Sequence, residues 1–246
     1  MDSRFAQMGY PSAMLAGHYA PALLLKVANP RVPLWALFVG VQFVDILWAV
    51  FVTTGIERAS IEPGFTASNG LVLESVVLSH SLVAAGLWAG LAGLIGSALL
   101  PGRGAGPFLA MAVASHWLLD LPMHTPDLPL AGSHSLKLGL GLWNYRFASC
   151  ALEVGLLSVG LAAFIKRSRP LAGPKWAPAT LAATLLVLAV AGYYGPQPPT
   201  IVPTALAGLF LYFTVPILAR FADSQRTFDR SVDRSRNDVT ADASTT

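Results

Sequence analysis

The stretch Ser115-His116-Trp117-Leu118-Leu119-Asp120-Leu121-Pro122-Met123-His124 places two imidazoles and a carboxylate inside a run that otherwise reads as a membrane span. His18, Asp45, His80 and Glu153 sit in similarly apolar surroundings. Ionisable groups are costly in hydrocarbon, so several in one bundle point to a site rather than to decoration. Imidazole and carboxylate are ligands for zinc, manganese or iron, and they are equally the carriers of a proton relay. His116, Asp120 and His124 are spaced i, i+4, i+8. Residues four apart share a helix face, so His116 and Asp120 can reach one ion. His124 drifts by about 80° on an ideal helix. Pro122 cannot donate to the Leu118 carbonyl, and it is expected to bend or end the helix there.

The remaining candidates take their meaning from company. Asp45, in Gln42-Phe43-Val44-Asp45-Ile46-Leu47-Trp48, must find a partner, protonate or face water. His80 lies at a helix start in Leu78-Ser79-His80-Ser81-Leu82, with Glu74 six residues before it as a general base or a helix-start charge. His18 belongs to an N-terminal segment and reaches the others if that segment packs beside the second. Glu153 can bind metal, orient a ligating histidine or carry a proton. Asp127 and His134 are expected to be solvated loop residues. Trp48, Trp117, Trp143 and Tyr145 read as interfacial or packing aromatics. The sequence holds no Walker-type loop, no Gly-x-Ser-x-Gly, no CxxC and no HExxH.

Composition fixes the class that must position these groups. The chain of 246 residues is 54% hydrophobic and only 12% charged, where a soluble domain is about 25% charged. Mean hydropathy is +0.58. The apolar runs are continuous and rich in Leu and Ala, unlike the alternating segments of a β-barrel. The expected fold is an all-α, polytopic helical bundle of about six to seven transmembrane helices over residues 1–220, with a metal site within 10–155. A polar cytoplasmic tail follows over 221–246. The single cysteine, Cys150, excludes an intrachain disulfide. The net charge of +3 comes from segments outside the spans and reports topology, with no nucleic-acid partner implied.

Candidate spans fall at roughly 11–27, 33–55, 78–100, 106–122, 144–165, 176–195 and 199–220, against the ~20 residues a crossing helix needs. Lys166, Arg167, Arg169 and Lys175 follow the fifth span, and Arg220, Arg226, Arg230, Arg234 and Arg236 follow or close the last. The positive-inside rule makes those segments cytoplasmic. Alternation then puts Lys26, Arg31 and Arg103 inside and the loops 56–77 and 123–143 outside. On this topology Asp45, His116 and Glu153 lie at a similar depth, near ~15 Å from the outer surface. Residues of several helices are expected to converge in the outer half of the bilayer.

The order His18, Asp45, Ser79-His80-Ser81 and His116-x3-Asp120 resembles the YdjM-like family of inner-membrane metal-dependent hydrolases, over roughly residues 10–140. That family has an N-terminal helix with a His, an Asp-bearing second segment, a Thr-His-Ser motif and a His-x3-Asp helix. Its Asp-x-Asp appears here as Phe43-Val44-Asp45, so one acid is missing. Its Arg-rich segment is replaced by Glu74-Ser75-Val76-Val77-Leu78. The resemblance implies a bacterial inner-membrane protein with His18, Asp45, His80, His116 and Asp120 as metal ligands; His124 joins them as an additional candidate from its spacing.

These observations favour a centre of one or two divalent ions, with zinc first and manganese or iron next. It would hydrolyse a lipid or lipid-linked ester or phosphoester at the outer membrane face, with Glu74 or Glu153 as the catalytic proton carrier. Membrane lipids are the expected partners. Two other classes compete: a transporter or proton-relay protein, in which the same residues pass protons, and a structural or partner-binding membrane protein locked by polar contacts between helices.

Overall fold

A computed structural model describes residues 16–171, 176–196 and 199–228. The chain enters helix α1 (Tyr19–Ala28), then α2 (Leu34–Val41) and α3 (Phe43–Thr53). A hairpin of β1 (Arg58–Ile61) and β2 (Leu71–Ser75) follows, then the one-turn α4 (Val77–His80), α5 (Leu82–Leu99) and α6 (Ala105–Met123). The antiparallel strand pair β3 (Leu128–Pro129) and β4 (Lys137–Leu138) and a 3-10 turn at Leu142–Asn144 lead to α7 (Arg146–Arg167). Last come β5 (Ser168–Pro170), α8 (Trp176–Tyr194), α9 (Ile201–Ser224) and β6 (Arg226–Phe228), β6 pairing antiparallel with β5.

Among the described residues, α5, α7, α8 and α9 are each long and apolar enough to cross a membrane. The pair α2–α3, bent by 50° at Gln42, qualifies as a fifth if it is one span. The outward faces of these helices are apolar: Leu94 of α5 is 72% exposed and Phe210 of α9 is 67% exposed. Such faces are at home against lipid tails. Six to seven spans were expected, and two segments account for the difference. α6 has the length, but its site residues and two prolines dilute its apolar character. The segment 11–27 appears as α1 from Tyr19 onward, with residues 11–15 outside the described residues. Ten residues rise about 15 Å, half of a ~30 Å hydrocarbon core.

The helices have two distinct ends. At one end the Asn29 side chain donates to the Arg103 carbonyl at 2.9 Å and Arg103 donates to the Arg31 carbonyl. The Arg226 guanidinium donates to the carbonyls of Ile165 and Ser168. The basic residues that charge patterning grouped together therefore do share an end, although Lys175 and the arginines beyond 228 lie outside the described residues. At the other end Ser68 N–H donates to the Trp143 carbonyl and Val83 N–H to the Leu130 carbonyl, so the β1–β2 hairpin closes over the 124–145 loop. The expected tail is ordered at its start: α9 runs on to Ser224, and β6 packs against β5. Residues 229–246 of that tail lie outside the described residues.

The core lies where α1, α2, α7, α8 and α9 meet, around Leu23, Leu37, Phe38, Leu157, Phe164 and Leu185. Tyr19 stacks on Phe38 with ring centroids 4.5 Å apart. α5 and α6 approach closely because Gly93 lies against the backbone of Gly106, where a Cβ would sit 3.4 Å from the Gly106 oxygen. Small residues at such a crossing are the usual means of packing helices in lipid.

At the basic end Lys26 is buried. Its ammonium lies 2.9 Å from Asp223 and donates to the carbonyls of Pro30 and Val32. Removing one member of a buried pair leaves the other uncompensated. Lys26→Met is expected to cost about 3 kcal/mol, read as a lower melting temperature in detergent, and Asp223→Asn in the same chain should recover most of that loss.

Candidate metal centre

Two breaks in the helical run create the site. The first is at Gln42, between α2 and α3. Val41 is the last residue of α2, so its carbonyl has no intrahelical donor. It accepts instead from His116 Nδ1 at 2.7 Å. An imidazole inserted into the backbone ladder is a recognised cause of a kink, and the bend places Asp45 on the first turn of α3. The second break is at Ser81, whose extended backbone separates α4 from α5 and whose Oγ accepts from Ala84 N–H. It leaves His80 at the end of α4, held by Trp117 Nε1–H donating to its carbonyl at 3.0 Å.

Four imidazoles and two carboxylates converge. His116 Nε2 lies 3.4 Å from Asp45 Oδ1 and 3.3 Å from Asp120 Oδ2. His80 Nε2 lies 3.4 Å from Asp45 Oδ1 and 3.8 Å from Asp120 Oδ2. His18 Nε2 is 3.2 Å from Asp120 Oδ1, and His124 Nε2 is 3.9 Å from the same oxygen. All six metal-ligand candidates expected from the sequence are thus brought together. His124 arrives because α6 ends beside it: it is the C-cap, with extended backbone, one residue after the helix stops. Pro122 has ended the helix rather than turned His124 away.

The other nitrogen of three of these rings is committed. His116 Nδ1 donates to Val41. His80 Nδ1 lies 2.9 Å from Ser79 Oγ, and that hydroxyl donates to Glu57 Oε2. His124 Nδ1 lies 3.0 Å from Asp127 Oδ1. When Nδ1 gives its proton to a fixed acceptor, Nε2 carries the lone pair, and an outer carboxylate or carbonyl of this kind is the ordinary support of a metal-ligating histidine. Here all three Nε2 atoms face the two aspartates.

Lone pairs then meet lone pairs. His116 Nε2, Asp120 Oδ2 and both ring nitrogens of His18 have no hydrogen-bond partner, although His18 is 1% and Asp120 3% exposed. An unsatisfied buried polar atom costs about 1–3 kcal/mol. A divalent cation would take the lone pairs of His116 Nε2 and Asp120 Oδ2, and at most one of the two His18 nitrogens. The edge of a tetrahedron with bonds of 2.0–2.1 Å is about 3.3–3.4 Å, the spacing of His116 from Asp45 and Asp120 and of His80 from Asp45; Asp45, His80 and His116 form one group able to hold an ion, and His18, His116 and Asp120 another. The residues therefore fit a metal ion.

Glu74, expected as a proton carrier, is exposed on β2 and forms no part of the cluster. Glu153 is buried, but its Oε1 accepts from Ala16 N–H at 2.9 Å and Gly17 N–H at 2.7 Å. It holds the chain just before His18. Gly17 has no room for a side chain, because a Cβ would lie 2.5 Å from Glu153 Cγ. Asp127, expected in solvent, is buried against His124, whereas His134 is exposed as expected. Two contributors were not anticipated. Glu57 caps α4 by accepting from Leu78 and Ser79 N–H, and the Tyr212 hydroxyl donates to Asp45 Oδ2 at 2.9 Å. Only their types, an acid in a loop before an apolar run and a tyrosine within a span, could have signalled them.

Asp45, His80, Asp120, His124 and Tyr212 line a cavity of about 220 Å³. It continues between α8 and α9 past Ala191 and Ala207, which are exposed on the bundle's outer surface. No family model, curated protein or solved structure matches the chain, so the case for a function rests on this geometry.

The role of Glu153 is open to a direct check. Glu153→Gln retains the acceptor oxygen and is expected to keep the fold and metal content. Glu153→Ala strands two buried N–H groups and should lose about 2 kcal/mol or more, seen as a lower melting temperature and weaker cation binding in isothermal titration. Equal loss of function in both, with unchanged stability, would return Glu153 to the role of proton carrier.

Proposed function

We propose that the protein is a membrane-embedded, metal-dependent hydrolase of the YdjM-like kind, acting on a lipid or lipid-linked ester or phosphoester. The observation that carries the reading is the set of buried Nε2 and carboxylate atoms, lacking other partners, at the wall of a cavity that reaches the lipid-facing surface. A proton relay would use the same groups; the reading as a metal centre is favoured by three histidine Nε2 atoms that point at shared carboxylates while their Nδ1 atoms are held by Val41, Ser79 and Asp127.

His80, His116, Asp45 and Asp120 would hold the ion, zinc by donor set, with manganese or iron as alternatives. A bound divalent ion supplies Lewis-acid polarisation of an ester oxygen and water acidified into the neutral range. The residues of the chain do the rest. Trp48 and Trp143, apolar walls beside the site, limit access of bulk water. Ala191 and Ala207, small and outward, leave space for an acyl or prenyl chain between α8 and α9. The Tyr212 hydroxyl stands at Asp45 with a proton to give. It is the group we assign to protonate the leaving oxygen, the proton of the attacking water passing to Asp45 Oδ2 and from there back to the phenolate.

The same reading sets topology. α6 runs from the Arg103 loop to His124, between the two ends of the bundle, and counts as a crossing. With α2–α3, α5, α7, α8 and α9 it makes six. The basic end is then cytoplasmic and the hairpin end external, in the inner membrane of a bacterium, with the chain beyond β6 on the cytoplasmic side.

Elemental analysis of detergent-purified protein tests the proposal. Wild type is expected to carry zinc, manganese or iron, lost from His116→Ala and Asp120→Ala variants that still elute as folded protein. Product release from a panel of phospholipid and short-chain esters in mixed micelles should depend on that metal. A wild type that stays metal-free after reconstitution, with pH-dependent proton movement in vesicles, would overturn it in favour of a relay. Tyr212→Phe should retain the metal and lower kcat by about 100-fold.

A further inference from the structure

The cluster gathers more negative charge than one divalent ion balances. Four carboxylates contribute: Asp45 and Asp120 beside the imidazoles, Glu57 behind His80 through the Ser79 hydroxyl, and Asp127 behind His124. Glu57, Asp120 and Asp127 are buried. An imidazole that turns a lone pair toward the carboxylates is neutral, so it offsets none of this. One divalent ion leaves an excess of negative charge, and a second only cancels it. Among the described residues, no lysine or arginine lines the cavity. Arg58 is exposed on β1, and Arg146 donates to the Ala67 carbonyl.

The wall beyond the cluster is apolar. Leu71 and Leu73 alternate on β2, so their side chains share a face, and both line the cavity from the hairpin. Trp48 and Trp143 add their rings. The Thr204 hydroxyl donates to the Thr200 carbonyl at 2.9 Å. A phosphodiester brings a fixed negative charge, and sites that handle phosphoryl groups aim arginine or lysine at its oxygens. A carboxylic ester brings no charge to such a wall. We propose that the substrate is an uncharged carboxylic ester, apolar on both its acyl and its alcohol side, rather than a phosphoester. The acyl chain lies between α8 and α9 and the alcohol portion against Leu71 and Leu73. Water adds its oxygen to the acyl carbon, the bond from that carbon to the alcohol oxygen breaks, and the alcohol leaves with the Tyr212 proton. The other product is a carboxylic acid, which ionises at neutral pH. It then carries the sign of the cluster, and repulsion favours its release.

This substrate class rests on the proposed hydrolysis and narrows it. Full-length protein in detergent, loaded with Zn²⁺, is offered para-nitrophenyl decanoate and, separately, decyl para-nitrophenyl phosphate. Only the carboxylic ester is expected to release nitrophenol in a Zn²⁺-dependent way. Inhibition of that cleavage then isolates charge: didecyl methyl phosphate, which is uncharged, should inhibit about 100-fold more strongly than anionic didecyl phosphate, as like-charge repulsion in a dry site requires. Leu71→Arg sets a cation beside the cavity and should narrow that ratio by about tenfold. Zn²⁺-dependent cleavage of the phosphodiester, or tighter inhibition by the anion than by the uncharged triester in the wild type, would overturn the inference and leave the proposed activity standing. A metal-loaded protein that cleaves neither compound would remove the activity and this substrate class with it.

Discussion

A buried imidazole offers a lone pair at one nitrogen only when the proton on the other has somewhere fixed to go. Three such acceptors organise this protein: the Val41 carbonyl for His116, the Ser79–Glu57 pair for His80, and Asp127 for His124. Each comes from a place where regular structure stops. Val41 has a free carbonyl because α2 ends there. Ser79 and His80 sit on a one-turn helix capped by Glu57. Asp127 follows the end of α6. In a bundle of uninterrupted spans every backbone carbonyl would be used by its own helix, and few acceptors would be left to orient a ring. The irregularities of the fold are thus the source of its order at the site.

The membrane adds a second constraint, and α1 shows how it is met. This short helix begins beside the metal candidates, where an unsatisfied N–H has no water to turn to. Glu153 on α7 supplies the acceptor for Ala16 and Gly17, and the absence of a side chain at Gly17 lets the carboxylate close on the backbone. Glu153 thus has a structural reason to be buried within a span, the helix start that its Oε1 completes, beside the chemistry that its position suggests from sequence.

Much of this was legible beforehand, for physical reasons. Continuous Leu- and Ala-rich runs marked the helical segments but not the breaks at Gln42 and Ser81 that build the site, and the alternation of basic loops matched the two ends of the bundle. The i, i+4 spacing of His116 and Asp120 sufficed to put both on one face. His124 reached the site for a reason visible only in part: Pro122 announced the end of the helix, but not the direction of the next residue. What could not be read were partnerships between distant segments. Glu57 looks like any acid in a polar loop until the hairpin folds it under α4. Tyr212 reads as a packing aromatic until α9 lies against α3 and its hydroxyl meets Asp45. Glu74 had the better position in sequence, six residues from His80, but the alternation of a strand turned it outward. Proximity along the chain was the wrong measure there.

The two sides of the cluster differ in a way that bears on what it can do. Asp45, His80, Asp120 and His124 face the cavity, while His18 and His116 form a stacked pair behind them. The pair behind is fully enclosed by α1, α2 and α6, and it is tied to their backbone through Val41 and the clamped turn before His18. Groups so held cannot shift as a substrate enters. The groups in front rest on α3, α4 and the end of α6, and they look across the cavity to α8 and α9, where Ala191, Gly192, Ala207 and Gly208 leave a low wall. A rigid rear and a low, apolar front suit a ligand that brings its polar head to fixed charges while its tail remains in hydrocarbon. A soluble substrate would need no such side opening, and a channel would need a second opening through the enclosed rear. The asymmetry of the site suits the proposed substrate, an amphiphile arriving from the bilayer.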